Sequence, residues 1–592
     1  MDFLKRTGFS LMAVFLVFGL TACTGSDNSD KDLEALFPKD SVFVGVIDGS
    51  QKAEVAQFKE LINSLPETGL WQKIEESYDK EMAATDKNSP KYEKTIKPII
   101  EGEWKFGIAV KSFPQDIDAS QAMKKDDFDK SELYIAGKFS EADKVEDLMG
   151  IFLKDAAWTD LKTSEEGGVK YWTAPSQEFY VARSGDFFVI TMNDADRKAA
   201  MKRLEEGGGL DENDEFFAGV KELEAENLAY AYVNGDAMVE FMQTLYAELK
   251  PDLDTKSLSA GDFYMVAFAD DNGIVTRTTM DLPEANEVTR EIFGNFDYDV
   301  DLINRVNGEG MMLYTEQPQL GIYVGAFFQG LMQGAKGLNP DDVDPFGKDY
   351  VKFFADTVGV TEEVMEGILK SPFAFAMSDI GTLYPTISFY LQLDEDYVED
   401  ARALTVAMDQ WVDQVIAEYD ASMEGQGFGV GALKKDVELV GGGGLHKLYL
   451  DLSSFPPDVL SAAAFVPGLD IASLKIEFYY GITSDNMFVF AFYPDFAAAY
   501  GKNVLSENAE YKKAIGKVNE PGYMVSYFAS KPLIALMDRW VGIAKSGGFM
   551  TDADAANYEK YVKGIVGAIT YAVSSAAYED GAQSGQSYAW IK

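Results

Sequence analysis

Asn213-Asp-Glu-Phe-Phe-Ala-Gly-Val-Lys-Glu-Leu-Glu-Ala-Glu-Asn-Leu-Ala-Tyr-Ala-Tyr-Val-Asn-Gly-Asp-Ala-Met-Val-Glu-Phe-Met242 aligns without a gap to Asn508-Ala-Glu-Tyr-Lys-Lys-Ala-Ile-Gly-Lys-Val-Asn-Glu-Pro-Gly-Tyr-Met-Val-Ser-Tyr-Phe-Ala-Ser-Lys-Pro-Leu-Ile-Ala-Leu-Met537, at a constant offset of 295 residues. Asn213 falls on Asn508, Glu215 on Glu510, Phe216 on Tyr511, Val220 on Ile515 and Tyr232 on Tyr527. Further on, Met238, Phe241, Met242 and Leu245 correspond to Leu533, Leu536, Met537 and Trp540. Spacings of three, four and seven place one apolar stripe on each helix. Self-similarity of this kind predicts a repeated structural unit.

Other blocks recur in the same order. Ser41-Val-Phe-Val-Gly-Val-Ile-Asp48 is matched by Gly310-Met-Met-Leu-Tyr-Thr-Glu-Gln317, and Trp104-Lys-Phe-Gly-Ile-Ala109 by Phe373-Ala-Phe-Ala-Met-Ser378. Tyr134 to Phe139 leads into Asp143-Lys-Val-Glu-Asp147 as Ser388 to Leu393 leads into Asp396-Tyr-Val-Glu-Asp400. Ser184-Gly-Asp-Phe-Phe-Val-Ile190 is matched by Ser484-Asp-Asn-Met-Phe-Val-Phe490, and Phe263 to Asn272 and Tyr571 to Asp580 close the two copies. Val145, Leu148, Met149 and Phe152 form one helical stripe; Ala401, Leu404, Met408, Trp411 and Val415 form its counterpart. Glu178 to Ala182 and Phe187 to Met192, joined by Ser184-Gly185-Asp186, read as a hairpin. Adjacent hairpins predict an antiparallel sheet with amphipathic helices on one face, hence an α+β class. The expected organisation is a leader at 1–22, a tether at 23–32, one α+β unit at 33–283, a connecting segment at 284–300 and a second, divergently duplicated unit at 301–592.

Phe37-Pro38-Lys39-Asp40-Ser41 entering the first strand, the Tyr230-Ala-Tyr-Val-Asn234 strand before a helix, and Ala267-Phe-Ala-Asp-Asp-Asn-Gly273 resemble a broad family of bacterial envelope proteins whose domain is known only as one of unknown function. The resemblance covers nearly all of the first unit and, more faintly, the second. It brings no catalytic residue to carry over.

The amino terminus gives an address. Lys5 and Arg6 precede an uncharged stretch, Thr7 to Ala22, centred on Leu11-Met-Ala-Val-Phe-Leu-Val-Phe-Gly19. This is signal-peptide anatomy, and it falls short of the roughly 20 apolar residues of a spanning helix. Leu20-Thr21-Ala22-Cys23 resembles the lipobox of bacterial lipoproteins. That resemblance implies a diacylglyceryl thioether on Cys23, cleavage before it and acylation of the new amino terminus, palmitate being the usual label. An ordinary secretory signal with a chance cysteine is the alternative. Cys23 is the only cysteine, so no intramolecular disulfide can form. Thr24-Gly-Ser-Asp-Asn-Ser-Asp-Lys-Asp32 reads as a flexible tether. Thr24 after the cysteine resembles Gram-negative outer-membrane sorting, which implies the outer membrane, at its periplasmic or its surface face.

The chain carries 98 acidic and 52 basic residues, a net charge of -46. Such a surface repels phosphate backbones and anionic head groups, so the expected partner is the membrane, reached through lipid on Cys23, and not nucleic acid. With 47% hydrophobic residues the chain fills a large core.

Catalytic motifs are sparse. His446 is the sole histidine, which leaves no histidine-based zinc set and no recognisable nucleophile elbow; it reads as a strand-edge residue before Lys447-Leu-Tyr-Leu450. Glycines 441–444, and Gly425, Gly427, Gly429 and Gly431, lack the lysine and Ser/Thr of a phosphate loop and read as surface loops. Asp297-Tyr-Asp299-Val-Asp301 opens like a calcium loop but has Leu302 where glycine belongs and Gly308 where glutamate belongs. Asn339, Asp341, Asp342 and Asp344 form another oxygen-rich cluster; in so acidic a chain such clusters arise freely, and a solvated face is the expected reading ahead of a specific ion site. Paired carboxylates for glycoside hydrolysis stay open, with no pair singled out. Phe327, Phe328, Met332, Phe353 and Phe354 read as core packing at helical spacing, with an apolar groove for lipid, peptide or glycan as the alternative. The expectation is a non-enzymatic, membrane-anchored envelope lipoprotein without catalytic residue, cofactor or metal, acting as a binding or structural module. A carboxylate-dependent hydrolase of an envelope polysaccharide and a carrier of an apolar ligand are the alternatives.

Overall fold

The computed structural model describes residues 32–49, 79–80, 91–112, 132–155, 160–174, 179–213, 216, 218–220, 223, 229–238, 261–270, 273–281, 302–318, 320, 351–352, 355–356, 359–425, 429–440, 442–456, 475–518, 524–563, 566–567, 569–579 and 582–591. The leader, Cys23, the tether up to residue 31 and the segment 284–300 lie outside them. The described chain mixes helix with antiparallel strand, as an α+β reading predicts. It divides into two compact units, Phe296–Ala577 and the remainder, Met1–Asn295 with Tyr578–Lys592.

The first unit holds β1 (Phe43–Asp48), β2 (Trp104–Ser112), β3 (Glu132–Phe139), β4 (Lys162–Glu166), β5 (Val169–Ala174), β6 (Phe179–Ser184), β7 (Phe187–Thr191), β8 (Ala229–Val233), β9 (Phe263–Asp270) and β10 (Gly273–Asp281). Their antiparallel pairings give the spatial order β4-β5-β6-β7-β3-β2-β1-β8-β9-β10. The expected hairpin forms between β6 and β7, turning at Gly185 with φ 58°, a left-handed value that glycine adopts without strain.

Strand alternation sends Tyr264, Tyr232, Val44, Ala109 and Tyr134 to one face in a single register row. There Ala200, Met201 and Leu204 of α3 (Asp194–Glu206) pack on them, following α1 (Tyr92–Glu101) and α2 (Ala142–Asp155) in the chain. The opposite face is covered too: Ile99 of α1 and Val145 and Leu148 of α2 cluster with Trp104, Phe139 and Phe188. Helices on one face were expected, and the sheet carries them on both. The reason is local: Phe187, Phe188 and Val189 are consecutive, all buried, and so feed both faces.

The second unit holds β11 (Met311–Gln317), β12 (Phe373–Ser378), β13 (Thr386–Gln392), β14 (Leu433–Val440), β15 (Gly443–Leu450), β16 (Glu477–Ile482), β17 (Met487–Phe492), β18 (Met524–Ala529) and β19 (Ile569–Glu579). Pairings give the order β14-β15-β16-β17-β13-β12-β11-β18-β19, the same sequence of ranks as in the first unit. Its helices include α4 (Glu362–Leu369), α5 (Val398–Glu424), α6 (Ala509–Ile515) and α7 (Ser530–Ser546). Val364, Ile368, Val398 and Ala401 pack on Phe373 and Leu391, whereas Tyr314, Tyr390, Tyr479 and Tyr527 fill the other face.

Two details depart from expectation. Trp411, placed in the buried stripe of α5, is 56% exposed, and Val412 is buried instead. Eleven residues at about 100° each complete three turns, so Val412 and not Trp411 returns to the face of Ala401. Second, the last strand, β20 (Ala582–Ile591), pairs with β10 from Gly273↔Trp590 to Asp281↔Ala582 and belongs to the first unit, whereas a second unit running to 592 was expected.

Candidate functional site

In the second unit, register brings Phe375, Phe389, Phe490, Tyr480 and His446 into one row across five strands. Phe478 and Phe492 stand in the next row on the same face. The rings touch in sequence: Phe375 to Phe389 at 5.0 Å, Phe389 to Phe490 at 5.9 Å and Phe490 to Phe478 at 4.5 Å between centroids. Tyr384 lies 4.6 Å from Phe492. Phe389 is 39% exposed, and Phe375, Phe478, Phe490 and Phe492 are half-buried, so the row is a partly open aromatic surface.

A polar cluster closes one end of this row. Tyr480 Oη donates to Asp409 of α5 at 2.7 Å, Lys435 Nζ lies 3.1 Å from Asp409 and 2.6 Å from Asp413, and His446 Nδ1 lies 2.7 Å from Asp409. The imidazole stacks on Tyr480 with centroids 5.2 Å apart, and its Nδ1 is near Asp409 without hydrogen-bond alignment. Burial raises the Asp409 pKa, but hydrogen bonds from Tyr480 and Lys435 and the charge of His446 outweigh it and hold the carboxyl below its usual range. His446 sits inside β15, not ahead of a strand as expected. Among the described residues no Ser or Thr hydroxyl is bonded to it, so the cluster has the parts of an ion-pair network and lacks those of a nucleophile triad.

The reverse face of the same strands holds two carboxylates. Lys447 Nζ bridges Glu438 at 2.9 Å and Glu477 at 3.1 Å, and Tyr479 Oη donates to either at 3.2 Å. Burial alone would lower the Lys447 pKa; hydrogen bonding with Glu438, Tyr479 and Glu477 raises it instead. The lysine holds both carboxylates in place.

In the first unit, Lys105 is the buried counterpart. It lies 2.6 Å from Glu34, 3.0 Å from Asp32 and 3.9 Å from Asp48. Burial opposes its charge, but Glu34, Asp32 and Asp48 raise its pKa; burial also raises that of Glu34, whose Oε2 has no hydrogen-bond partner among the described residues. Leu33, Leu36 and Phe37, fully buried, fix this segment against the sheet.

Of the glycines, Gly442 (φ 80°) forms a turn, but Gly443 and Gly444 lie in β15 rather than a surface loop. A Cβ on Gly443 would meet Ile482 O at 2.7 Å, so close strand packing explains that residue. Gly425, Gly429 and Gly431 flank the path from α5 to β14, and Gly427 lies outside the described residues. So do Asp297, Asp299 and Asp301, Asn339, Asp341, Asp342 and Asp344, and Phe327, Phe328, Met332, Phe353 and Phe354. Among the described residues no group of three or more His, Cys, Asp or Glu is placed to hold a metal ion, and no helix is long and apolar enough to cross a membrane. The aromatic row was missed in the sequence. Its signal was the period-two recurrence Phe488-Phe490-Phe492 beside Phe373-Phe375.

No family model matches the chain, and no curated protein matches it. Among solved structures it is similar to crystal form I of TP0453, at 12% identity and a TM-score of 0.24 over 45% of this chain and 87% of that one. Crystal form IV of TP0453 gives 12% identity and a TM-score of 0.23 over 44% and 85%.

Proposed function

We propose that this chain is a non-enzymatic envelope lipoprotein, anchored through acylated Cys23 and built from two copies of one α+β unit, whose role is binding or structural. The lipobox-like Leu20-Thr21-Ala22-Cys23 carries the location. The duplication rests on the offset of 295 residues together with the matching strand orders. The cap geometry adds support: Asn213 Oδ1 accepts from Phe216 N at 3.2 Å, and Asn508 Oδ1 accepts from Tyr511 N at 3.1 Å. A single lipid chain binds a membrane only marginally, whereas the multiple chains implied here anchor stably.

Binding of an apolar or aromatic ligand is favoured over hydrolysis of a polysaccharide by the half-open aromatic row around Phe389, while Glu438 and Glu477 are tied to Lys447. Native mass spectrometry of the protein released gently from membranes tests this. Co-purifying apolar mass that is lost in Phe389→Asp supports the carrier reading, and a bare chain in both proteins removes it. Labelling with a palmitate analogue that fails to mark Cys23, or recovery of the protein in the cytosolic fraction, would remove the location.

A further inference from the structure

β14 is the outermost described strand of the second unit's sheet, pairing only with β15. Val440 faces Gly443 across a two-residue connection, so backbone groups of Val440, Glu438, Asp436 and Lys434 point toward β15. Those of Leu433, Lys435, Val437 and Leu439 then face the open edge. The Val437 N–H behaves accordingly: it donates to the Asp436 carboxylate at 2.8 Å.

Exposed edges are normally guarded by charge. β4, the corresponding outer strand of the first unit, reads Lys162-Thr-Ser-Glu-Glu166, is exposed at every position and carries no apolar side chain. β14 differs, with Val437 56% and Leu439 82% exposed; Val406, also 56% exposed, lies one turn before Asp409 on α5.

We propose that β14 pairs antiparallel with β14 of a second copy of this chain, about a two-fold axis through Asp436. The strand Leu433-Lys-Lys-Asp-Val-Glu-Leu439 is complementary to its own reverse. Leu433 falls opposite Leu439, Lys434 opposite Glu438 and Lys435 opposite Val437, each twice. Asp436 meets its symmetry mate, and Lys447, in register with Asp436 on β15, flanks that contact on each side. On this face Lys434 also lies against Asp451, and Lys447 against Glu438 and Glu477. An axis through Val437 would instead oppose Asp436 to Glu438 twice, and one through Lys435 would leave Leu439 unpaired. Pairing about Asp436 also gives the edge-facing backbone groups of Leu433, Lys435 and Leu439, and the Val437 carbonyl, partners.

The test is disulfide trapping of the full chain in membranes. In a pair without direct hydrogen bonds opposed Cα atoms lie about 4.5 Å apart, inside the range a disulfide spans. Asp436→Cys should give an oxidation-dependent dimer of twice the chain mass; the parent chain and Lys162→Cys should not. Adding Val437→Lys and Leu439→Lys should cut the dimer about tenfold, through lost cross-strand pairs. All three positions are exposed, and circular dichroism checks that the variants fold. A folded Asp436→Cys chain that stays monomeric, that cross-links to a different protein, or whose dimer survives both lysines undiminished overturns the proposal.

Discussion

The ring of Tyr511 meets that of Tyr527 edge-on, with centroids 5.4 Å apart and planes at 77°. Phe216 and Tyr232, 295 positions earlier, stand at 5.3 Å and 78°. In each unit the first ring follows an asparagine cap and the second lies on a sheet strand, so the pair pins a short helical segment to the sheet. Edge-on rings add about 0.5–1.5 kcal/mol beyond their buried area. Tyr527→Ala and Phe216→Ala should therefore each destabilise their unit by about 3–5 kcal/mol, measured by urea unfolding. A cost at one site without the other would contradict equivalent roles.

The caps make a smaller prediction. Asn508 Oδ1 accepts from Glu510 N and Tyr511 N, and Asn213 Oδ1 from Phe216 N. Replacing either asparagine by alanine should cost about 1 kcal/mol, and aspartate should restore most of it.

Lys105 neutralises Glu34 inside the first unit. Removing it as Lys105→Met should destabilise by about 3–5 kcal/mol at neutral pH, because a buried carboxylate is left unpaired. Glu34 has a raised pKa, so ionisation costs stability as pH rises and protonation returns it. The deficit of Lys105→Met should shrink as pH falls toward the ordinary 4.5 of a glutamate, and Glu34→Gln in the same chain should abolish that pH dependence. Thermal unfolding across that range reads both.

Asp409 carries the opposite sign. Its pKa is depressed, so its contribution is present above the ordinary 3.8 and is lost as pH falls through the folded value. Asp409→Asn should lower stability at neutral pH and flatten the acid limb of the melting curve for the second unit. An unchanged acid limb would mean that Tyr480, Lys435 and His446 do not depend on that carboxylate.

Local signals in the chain were legible where short-range chemistry decides the outcome. Ser184-Gly185-Asp186 announced its hairpin because a left-handed residue between two apolar runs has few other solutions, and the runs around Tyr232 and Tyr527 announced strands. Long-range choices were not legible. Nothing near Ala582 says that β20 will pair with β10, some 300 positions away in the chain, because strand pairing depends on what else is left open. The second layer of helices was hidden for a related reason: consecutive buried residues such as Phe187 and Phe188 serve two faces, and a hairpin reading credits only one. Trp411 misled because its type outweighed its phase. The aromatic row was dispersed over five strands and became a surface only through register.

The central claim, a lipid-held protein of the cell envelope, is tested most directly by intact-mass and N-terminal peptide analysis of the chain purified from bacterial membranes. The account predicts a mature chain beginning at Cys23, carrying a diacylglyceryl thioether and an acylated amine, with residues 1–22 gone. A chain that retains Met1, or begins elsewhere with an unmodified Cys23, would contradict it.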